Sequence, residues 1–174
     1  IFPELLYLKR LEKLKKVQHL SKLSREIILA ILSIDEKDNH EYFSHKYKIS
    51  NKIKDVLEKF AQDLNDLKKD KHYLDKNLQK NIYKNGKSHL ESLNLLNFTI
   101  NSKIKYKEFL NTLNKITKFK MPNFHINGEF LKQNGMKENA TLGKVLNIIE
   151  EEWINNNFKI SDDRVKELIR INSN

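Results

Sequence analysis

The sequence predicts an all-α fold with no β-sheet. Apolar residues recur at intervals of three or four positions along most of the chain, which is the period of an amphipathic helix. Clean alternation of apolar and polar residues, which would indicate half-buried strands, is missing. The 174 residues include only four glycines and two prolines, so few positions favour irregular backbone. We therefore expect a multi-helix body followed by a small helical tail.

Two helices are predicted in the first 34 residues. The leucines from Leu5 onwards recur every three residues and Val17 extends the stripe, while Pro3 occupies a position that a first helical turn tolerates. Ser24 precedes the apolar run IILAIL and is a suitable N-cap for a short second helix that ends near Ile34.

The middle of the body gives the clearest helical pattern. A short helix is predicted near His40 to Tyr47, and a longer one begins behind the capping candidates Ser50 and Asn51. The apolar stripe of the longer helix consists of Ile53, Val56, Leu57, Phe60 and Leu64. The spacing of these side chains favours one long amphipathic helix.

A glycine marks the break between two further helices. Apolar positions within 74–82 and within 90–96 lie on either side of KNGK, and Gly86 is the natural stop between them. The last helix of the body is predicted from Ser102 to about Phe119. We take residues 1–121 as the body and residues 122–174 as the tail.

The tail gathers three of the four glycines within INGEFLKQNGMKENATLGKVL. Gly135 is predicted to end one short helix by adopting the left-handed conformation. Asn139 or Thr141 is predicted to cap the next helix, which carries Leu142 to Trp153. Two interpretations of the glycines stay open. They allow two short helices to pack closely, or they expose main-chain N–H groups near Gly143 to a phosphate.

The positive charge is confined to the body. Residues 1–121 carry 26 Lys and Arg against 15 Asp and Glu, a formal charge of +11, whereas residues 122–174 carry 7 against 8, a charge of −1. Such an excess favours a polyanionic partner, because each lysine near a phosphate releases condensed counterions. A biased genome composition would produce the same excess without any function.

The chain contains no recognisable catalytic or metal-binding motif. It has neither the GxGxxG fingerprint of dinucleotide sites nor a P-loop. His40 and His45 are five positions apart, about 140° around a helix, so they do not form an HExxH zinc site. Glu150 and Glu152 also diverge on a helix. We expect no active site and no metal site in this chain.

No segment of the sequence predicts insertion into a membrane. The longest purely apolar run, Ile27 to Leu32, is far shorter than the roughly 20 residues that span a bilayer. Cysteine is absent, which agrees with a reducing cytoplasm. The chain begins at Ile1 without a signal sequence, and we expect it to be part of a longer, cytoplasmic protein.

Three segments form an ordered set of motifs. YKISNKIKDVL is similar to an LxLSNxxxxxL helix, and LQKNIYKNGKSHLESLNLL to an LxxxxYxxG helix pair. FHINGEFLKQNGMKENATLGKVLNIIEEEWINNNF is similar to an IxGxxLxxxG stretch followed by a GxxL helix and an acidic helix. In this order the motifs resemble the C-terminal region of bacterial, especially alphaproteobacterial, tRNA nucleotidyltransferases of the CCA-adding and poly(A) polymerase family. The resemblance covers most of residues 46–158.

The resemblance implies a catalytic head and neck, in the same polypeptide, ahead of a body and tail that hold tRNA. In the family the head binds Mg²⁺ through an acidic pair and the neck selects CTP or ATP. No residue of this chain matches those parts, so the chain alone is expected to be inactive. A helical protein-interaction or dimerisation module with no nucleic-acid role remains the alternative.

The RNA contacts are expected on lysines of the body and in the glycine-rich part of the tail. The candidates in the body are Lys46, Lys48, Lys52, Lys54, Lys80, Lys84 and Lys87. The candidates in the tail are Gly128, Asn139, Gly143 and Lys144. The family often has Gly-Pro where this tail has KENA, and Glu138 adds an anion there, which weighs against a phosphate contact in the tail.

Overall fold

The computed structural model of the chain describes Leu5 and residues 7–20, 23–35, 37–136 and 140–172. Within these residues it contains ten helices and no strand, so the all-α prediction is confirmed. The chain forms two compact units, unit 1 (Ile1–Phe119) and unit 2 (Lys120–Asn174). The sequence analysis placed the boundary between body and tail after residue 121, and the two units divide close to it, after Phe119.

The described part of unit 1 contains seven helices and that of unit 2 contains three. The helices of unit 1 are α1 (Arg10–Val17), α2 (Arg25–Ser33), α3 (Asn39–Lys46), α4 (Asn51–Lys69), α5 (Leu78–Asn85), α6 (Lys87–Ile100) and α7 (Tyr106–Lys118). The helices of unit 2 are α8 (Gly128–Gln133), α9 (Ala140–Asn155) and α10 (Asp162–Asn172).

Helix α6 is the centre of unit 1. It packs against α1, α2, α4, α5 and α7. Its sequence KSHLESLNLLNFTI is apolar on most sides, as expected for a helix that is covered by neighbours rather than by water. Leu90, Leu93 and Leu96 are fully buried, and each such leucine stabilises the fold by about 1.5–3 kcal/mol. The unit is therefore organised around one buried helix.

Helix α2 is held at both ends. The Ser24 hydroxyl accepts a hydrogen bond from the Ile27 N–H at 3.3 Å, which confirms the predicted N-cap. At the other end the Arg10 guanidinium donates to the main-chain oxygens of Ile31 and Ile34, at 2.9 and 2.7 Å. These bonds satisfy carbonyl groups that a helix end leaves without partners.

Three helices begin later than predicted because turns precede them. Helix α1 begins at Arg10 rather than Leu5, after a turn in which the Arg10 N–H donates to the Tyr7 oxygen at 2.9 Å; Pro3 lies outside the described residues. The Lys103 N–H donates to the Asn101 side chain at 3.0 Å, so α7 begins at Tyr106 rather than Ser102. Residues 71–77 form turns, so α5 begins at Leu78.

Glycines end helices in both units, as predicted. Gly86 has φ +83° and follows α5, and Gly135 has φ +97° and follows α8. The Gly135 N–H donates to the Lys132 oxygen and the Met136 N–H to the Leu131 oxygen, each at 3.0 Å. This pair of bonds is the Schellman arrangement, in which the left-handed residue is usually glycine.

Unit 2 has its own apolar core. It consists of Leu131, Met136, Val145, Ile149, Val165, Leu168 and Ile169, which come from α8, α9, α10 and the turn after α8. Helix α10 has no counterpart among the predicted helices. The Arg164 guanidinium joins it to α9 through two hydrogen bonds to the Glu152 carboxylate, at 2.7 and 2.8 Å.

Candidate nucleic-acid interface

The end of α3 carries a group of aromatic and basic side chains on the surface of unit 1. The Lys46 Nζ atom lies 5.6 Å from the ring centroid of Tyr42 and 5.5 Å from that of Tyr47. Both distances are within the range of cation–π attraction. The side chain of Tyr42 is 57% exposed. We call Tyr42, Lys46, Tyr47, Lys48 and Lys52 the α3–α4 surface.

A buried anchor orients this surface. Phe43 is 4% exposed, and its ring centroid lies 5.0 Å from that of Tyr47. The Ser44 hydroxyl donates to the His40 main-chain oxygen at 2.6 Å, within α3. Phe43 and Ser44 are buried whereas Tyr42 and Lys46 are exposed, so α3 presents Tyr42 and Lys46 to solvent next to the buried Phe43.

Lys48 has an unusual backbone conformation. It has φ +46°, the left-handed region that normally favours glycine. The Lys48 N–H donates to the His45 oxygen at 3.4 Å and the Ile49 N–H to the Ser44 oxygen at 3.3 Å, so α3 ends in the same Schellman arrangement as α8. A lysine in this conformation costs about 1–2 kcal/mol. The turn therefore carries an exposed cation at a position where glycine would be more stable.

Helix α4 continues the basic surface. Its first turn contains no acidic residue, and Lys52 and Lys54 are both exposed. Ser50 occupies the N-cap position, as predicted, but its side chain makes no capping hydrogen bond. Lys54 is 3.5 Å from Glu58, in an exposed pair worth less than about 1 kcal/mol. Lys54 is thus partly neutralised.

The three lysines predicted near α5 are in different surroundings. The Lys87 Nζ atom donates to the Thr117 main-chain oxygen at 2.9 Å, at the last turn of α7. Lys87 therefore binds a main-chain oxygen at the end of α7, and the sequence analysis did not predict this contact. Lys80 is half-buried and Lys84 is exposed, and both make interactions within the chain. We give these three less weight than the lysines of the α3–α4 surface.

The glycines of the tail differ in their surroundings. A Cβ atom at Gly128 would lie 3.1 Å from the Leu142 side chain, so close packing of α8 against α9 accounts for this glycine. A Cβ atom at Gly143 would meet nothing within 4 Å, and Gly143 and Lys144 are exposed. Close packing therefore does not explain Gly143. Asn139 lies outside the described residues.

A buried carboxylate links α4 to α6 elsewhere in unit 1. Asp63 is 1% exposed, and its Oδ1 atom accepts hydrogen bonds from Lys59 Nζ at 2.9 Å and from the Tyr73 hydroxyl at 3.4 Å. Its Oδ2 atom lies 2.6 Å from His89 Nε2. The His89 ring is stacked on Phe60 with an interplanar angle of 3°. Sequence reasoning did not identify this cluster.

The pKa values of Asp63 and Tyr73 shift in opposite directions. Burial alone would raise the pKa of Asp63, but hydrogen bonds from His89 and Lys59 outweigh it and lower that pKa below its ordinary value. Burial, followed by the charges of nearby carboxylates, raises the pKa of Tyr73 to about 12. Asp63 is therefore an ionised structural group at neutral pH.

The described residues contain no cluster of three or more metal-ligating side chains that would suit the Mg²⁺ implied by the family resemblance. Nowhere among them do three His, Asp or Glu side chains lie close enough to hold a metal ion. His40 is 5% exposed whereas His45 is exposed, so the two do not face one site. No catalytic step can be derived through Mg²⁺ with the residues described.

In the described part of the chain, no helix has the length and apolar character needed to cross a bilayer. Protein-family models, curated proteins and solved structures give no match to this chain.

Proposed function

We propose that this chain binds tRNA, as the body and tail of a CCA-adding tRNA nucleotidyltransferase that processes tRNA 3′ ends. The observation that carries the proposal is the α3–α4 surface, where Tyr42 and Tyr47 flank Lys46 beside Lys48 and Lys52. The order of the three motifs and the charge of +11 on residues 1–121 support the same function.

The α3–α4 surface offers two kinds of contact that RNA uses. Lysines neutralise phosphates and make binding dependent on salt. An exposed aromatic ring stacks on an unpaired base and contributes about 1–3 kcal/mol per base. Tyr42 is exposed enough to stack, and Lys46 over its ring adds a positive charge beside the same site. The combination suits RNA that contains unpaired nucleotides next to a duplex.

The proposal assigns chemistry to a part of the polypeptide outside this chain. Mg²⁺ and CTP or ATP would be bound by a head and neck, and this chain would position the tRNA for nucleotidyl transfer in the cytoplasm. The chain alone is expected to incorporate neither labelled CTP nor labelled ATP into tRNA at any Mg²⁺ concentration, because the motifs of the head have no counterpart in it.

A helical protein-interaction module is a second candidate, favoured by unit 2. Residues 122–174 carry a charge of −1, which does not attract a polyanion. Ile148 on α9 is 42% exposed and Ile171 on α10 is 58% exposed, so unit 2 shows apolar side chains to solvent. Under this alternative the chain would bind a protein and would not bind tRNA.

A competition gel shift tests the proposal. The 174-residue chain is mixed with labelled tRNA at low salt, and unlabelled tRNA, heparin and double-stranded DNA are added as competitors. The proposal predicts that unlabelled tRNA competes at lower nucleotide concentration than double-stranded DNA. Equal competition by tRNA, heparin and double-stranded DNA would show that the chain binds any polyanion by charge and has no preference for tRNA. The absence of a shifted tRNA band at low salt would favour the protein-interaction module.

A further inference from the structure

Three of the four glycines in the chain directly follow an asparagine, in the pairs Asn85–Gly86, Asn127–Gly128 and Asn134–Gly135. An asparagine before a glycine is chemically reactive, because glycine has no Cβ atom to keep the asparagine side chain away from its main-chain nitrogen. That nitrogen can attack the side-chain carbonyl carbon, Cγ, and displace ammonia, which closes a succinimide ring. The sequence makes all three pairs candidates for this reaction, and the hydrogen bonds around each pair decide which of them reacts.

Two of the pairs, Asn85–Gly86 and Asn134–Gly135, are fixed at the C-terminal ends of α5 and α8. In each, the half-buried asparagine donates through its carboxamide to a main-chain oxygen four residues earlier, and the glycine N–H donates to another helix oxygen. The bonds are Asn85 Nδ2 to Asn81 at 3.1 Å, Gly86 N–H to Ile82 at 2.8 Å, Asn134 Nδ2 to Phe130 at 2.8 Å and Gly135 N–H to Lys132 at 3.0 Å. Both reacting groups must break a hydrogen bond before they can meet.

Asn127–Gly128 lies at the opposite end of α8 and lacks these restraints. Asn127 is exposed and caps the helix, since its Oδ1 atom accepts a hydrogen bond from the Phe130 N–H at 2.9 Å. Its Nδ2 atom, which would leave as ammonia, makes no hydrogen bond with any described residue. Gly128 is the first residue of α8, where a helix provides no acceptor for the N–H, and no other described residue accepts from it. Within the described chain, the attacking nitrogen and the leaving group are thus both free.

The cap and the segment before it also favour ring closure. Negative charge develops on Oδ1 while the nitrogen attacks Cγ, and the Phe130 N–H already donates to that oxygen, so the hydrogen bond stabilises the charge as it forms. Residues 119–127 form no helix, so the chain before Gly128 can rotate at Asn127 without breaking a main-chain hydrogen bond of α8. Rotation within the other two pairs would instead disrupt the last turn of α5 or of α8.

We propose that Asn127–Gly128 is a self-modification site, which loses ammonia and becomes an isoaspartyl–glycine or aspartyl–glycine linkage. The bond between the Gly128 nitrogen and Asn127 Cγ forms, the Cγ–Nδ2 bond breaks, and the proton of the Gly128 N–H leaves with Nδ2 as ammonia. Attack of water on the Cγ carbonyl then restores the ordinary main chain with aspartate, and attack on the main-chain carbonyl leaves isoaspartate. The reaction consumes only water, and it does not depend on tRNA binding.

The two products differ in their effect on α8. Aspartate keeps a side-chain oxygen for the Phe130 N–H, and aspartate is among the favoured N-cap residues. Isoaspartate passes the main chain through the side-chain carbon, which lengthens the chain before Gly128 and removes the cap oxygen from its place. Gly128 lies close to the Leu142 side chain of α9, so this change should loosen α8 against α9. The isoaspartyl form should therefore be the less stable of the two.

Incubation of the folded chain in mildly alkaline buffer, followed by peptide mapping with mass spectrometry, tests the proposal. Replacement of the amide NH₂ by OH is detected as a mass increase, and chromatography separates isoaspartyl from aspartyl peptides. In the folded chain Asn127 should convert about tenfold faster than Asn85 or Asn134, because those pairs must first break two hydrogen bonds. In concentrated urea the three rates should become similar, because the structural differences between the pairs are lost. The variant Asn127→Ser keeps a capping oxygen and should show no conversion at position 127.

Melting temperatures test the consequence for α8. Asn127→Asp, which reproduces the aspartyl product, should melt close to the unmodified chain, whereas the purified isoaspartyl form should melt at a lower temperature. Circular dichroism checks that each starting protein is folded. Equal conversion of the three asparagines in the folded chain, or slower conversion of Asn127 than of the other two, would overturn the proposal. An increase of the Asn127 rate on unfolding that matches the increase at Asn85 and Asn134 would overturn it as well, because it would mean that the cap protects Asn127.

Discussion

Asp63 and His89 are paired through Oδ2 and Nε2 at 2.6 Å, between α4 and the central helix α6. The carboxylate is 1% exposed and also accepts a hydrogen bond from Lys59. Removing one member of such a buried network leaves the other polar groups without hydrogen-bond partners, which costs free energy of folding. The stability of unit 1 should therefore depend on this pair.

Asp63→Ala is predicted to lower the free energy of unfolding by about 2–4 kcal/mol, because the charge-assisted hydrogen bonds are lost together. Urea unfolding followed by circular dichroism measures the change. Asp55→Ala is the matched control, since Asp55 is exposed on the same helix. Equal stability of the two variants would contradict the structural role of Asp63.

Acid is predicted to remove the contribution of Asp63. The pKa of Asp63 is lower in the folded protein than its ordinary value, so the folded state favours the ionised form. The contribution is complete above the unfolded pKa, about 3.9, and is lost as the pH falls through the folded pKa. The difference in unfolding free energy between the unmodified chain and Asp63→Asn should accordingly shrink below about pH 4. A difference that stays constant from pH 7 to pH 3 would rule out this linkage.

Tyr73 is predicted to ionise at a higher pH than a tyrosine in an unfolded chain. Its pKa is raised to about 12, so it stays protonated where an unfolded tyrosine ionises, near pH 10. Its contribution to stability is present below pH 10 and is lost as the pH rises towards 12. A spectrophotometric titration of tyrosinate absorbance, compared between the unmodified chain and Tyr73→Phe, should show that the variant lacks a late-titrating group. Loss of an early-titrating group would contradict the prediction.

Two glycines of unit 2 are predicted to respond oppositely to substitution. Gly135→Val should destabilise the fold by about 1–2 kcal/mol or more, because a β-branched residue is strained at φ +97°. Gly143→Ala should stabilise it by about 0.5–1 kcal/mol, because the site is helical and a Cβ atom meets no neighbour. Melting temperatures of both variants test the pair. A lower melting temperature for Gly143→Ala would contradict this prediction, because it would mean that a Cβ atom at position 143 meets a neighbouring group.

Gly143 also allows a separate test of the tail as an RNA contact. Gly143→Glu adds a charge to an exposed position where there is open space, so the fold should survive. If the tail lies near RNA, tRNA affinity should fall while the melting temperature changes little. Unchanged affinity in the folded variant would remove Gly143 and Lys144 from the interface.

Local signals explain which parts of the fold were predictable. The Ser24 cap, the stripe of α4, and the stops at Gly86 and Gly135 depend on residues within a few positions of each other. Helix α10 was predictable in the same way, since Ser161 caps it through the Arg164 N–H at 3.3 Å, but it was missed.

Other omissions concern contacts between distant parts of the chain. Arg10, the first residue of α1, donates hydrogen bonds to main-chain oxygens at the end of α2. The helical periodicity of the sequence does not predict this contact. Lys87 looked like a surface lysine, yet its partner is the Thr117 oxygen on another helix. The aromatic and basic run HEYFSHKYK is visible in the sequence. Only the structure shows that the rings of Tyr42 and Tyr47 both lie close to the Lys46 ammonium group. Composition alone could not identify the Asp63 cluster, whose members come from α4, α6 and the turn between α4 and α5.

The salt dependence of tRNA binding tests the proposed interface most directly. If about four to six lysines contact phosphates, a plot of log K against log salt should have a slope of about −3 to −5. Lys48→Gln/Lys52→Gln should reduce the magnitude of the slope by about 1.5, while Lys107→Gln, an exposed lysine of α7, serves as the control. Tyr42→Ala should weaken binding about tenfold without changing the slope. A slope near zero, or an identical slope in the double variant and the control, would contradict tRNA binding by the α3–α4 surface.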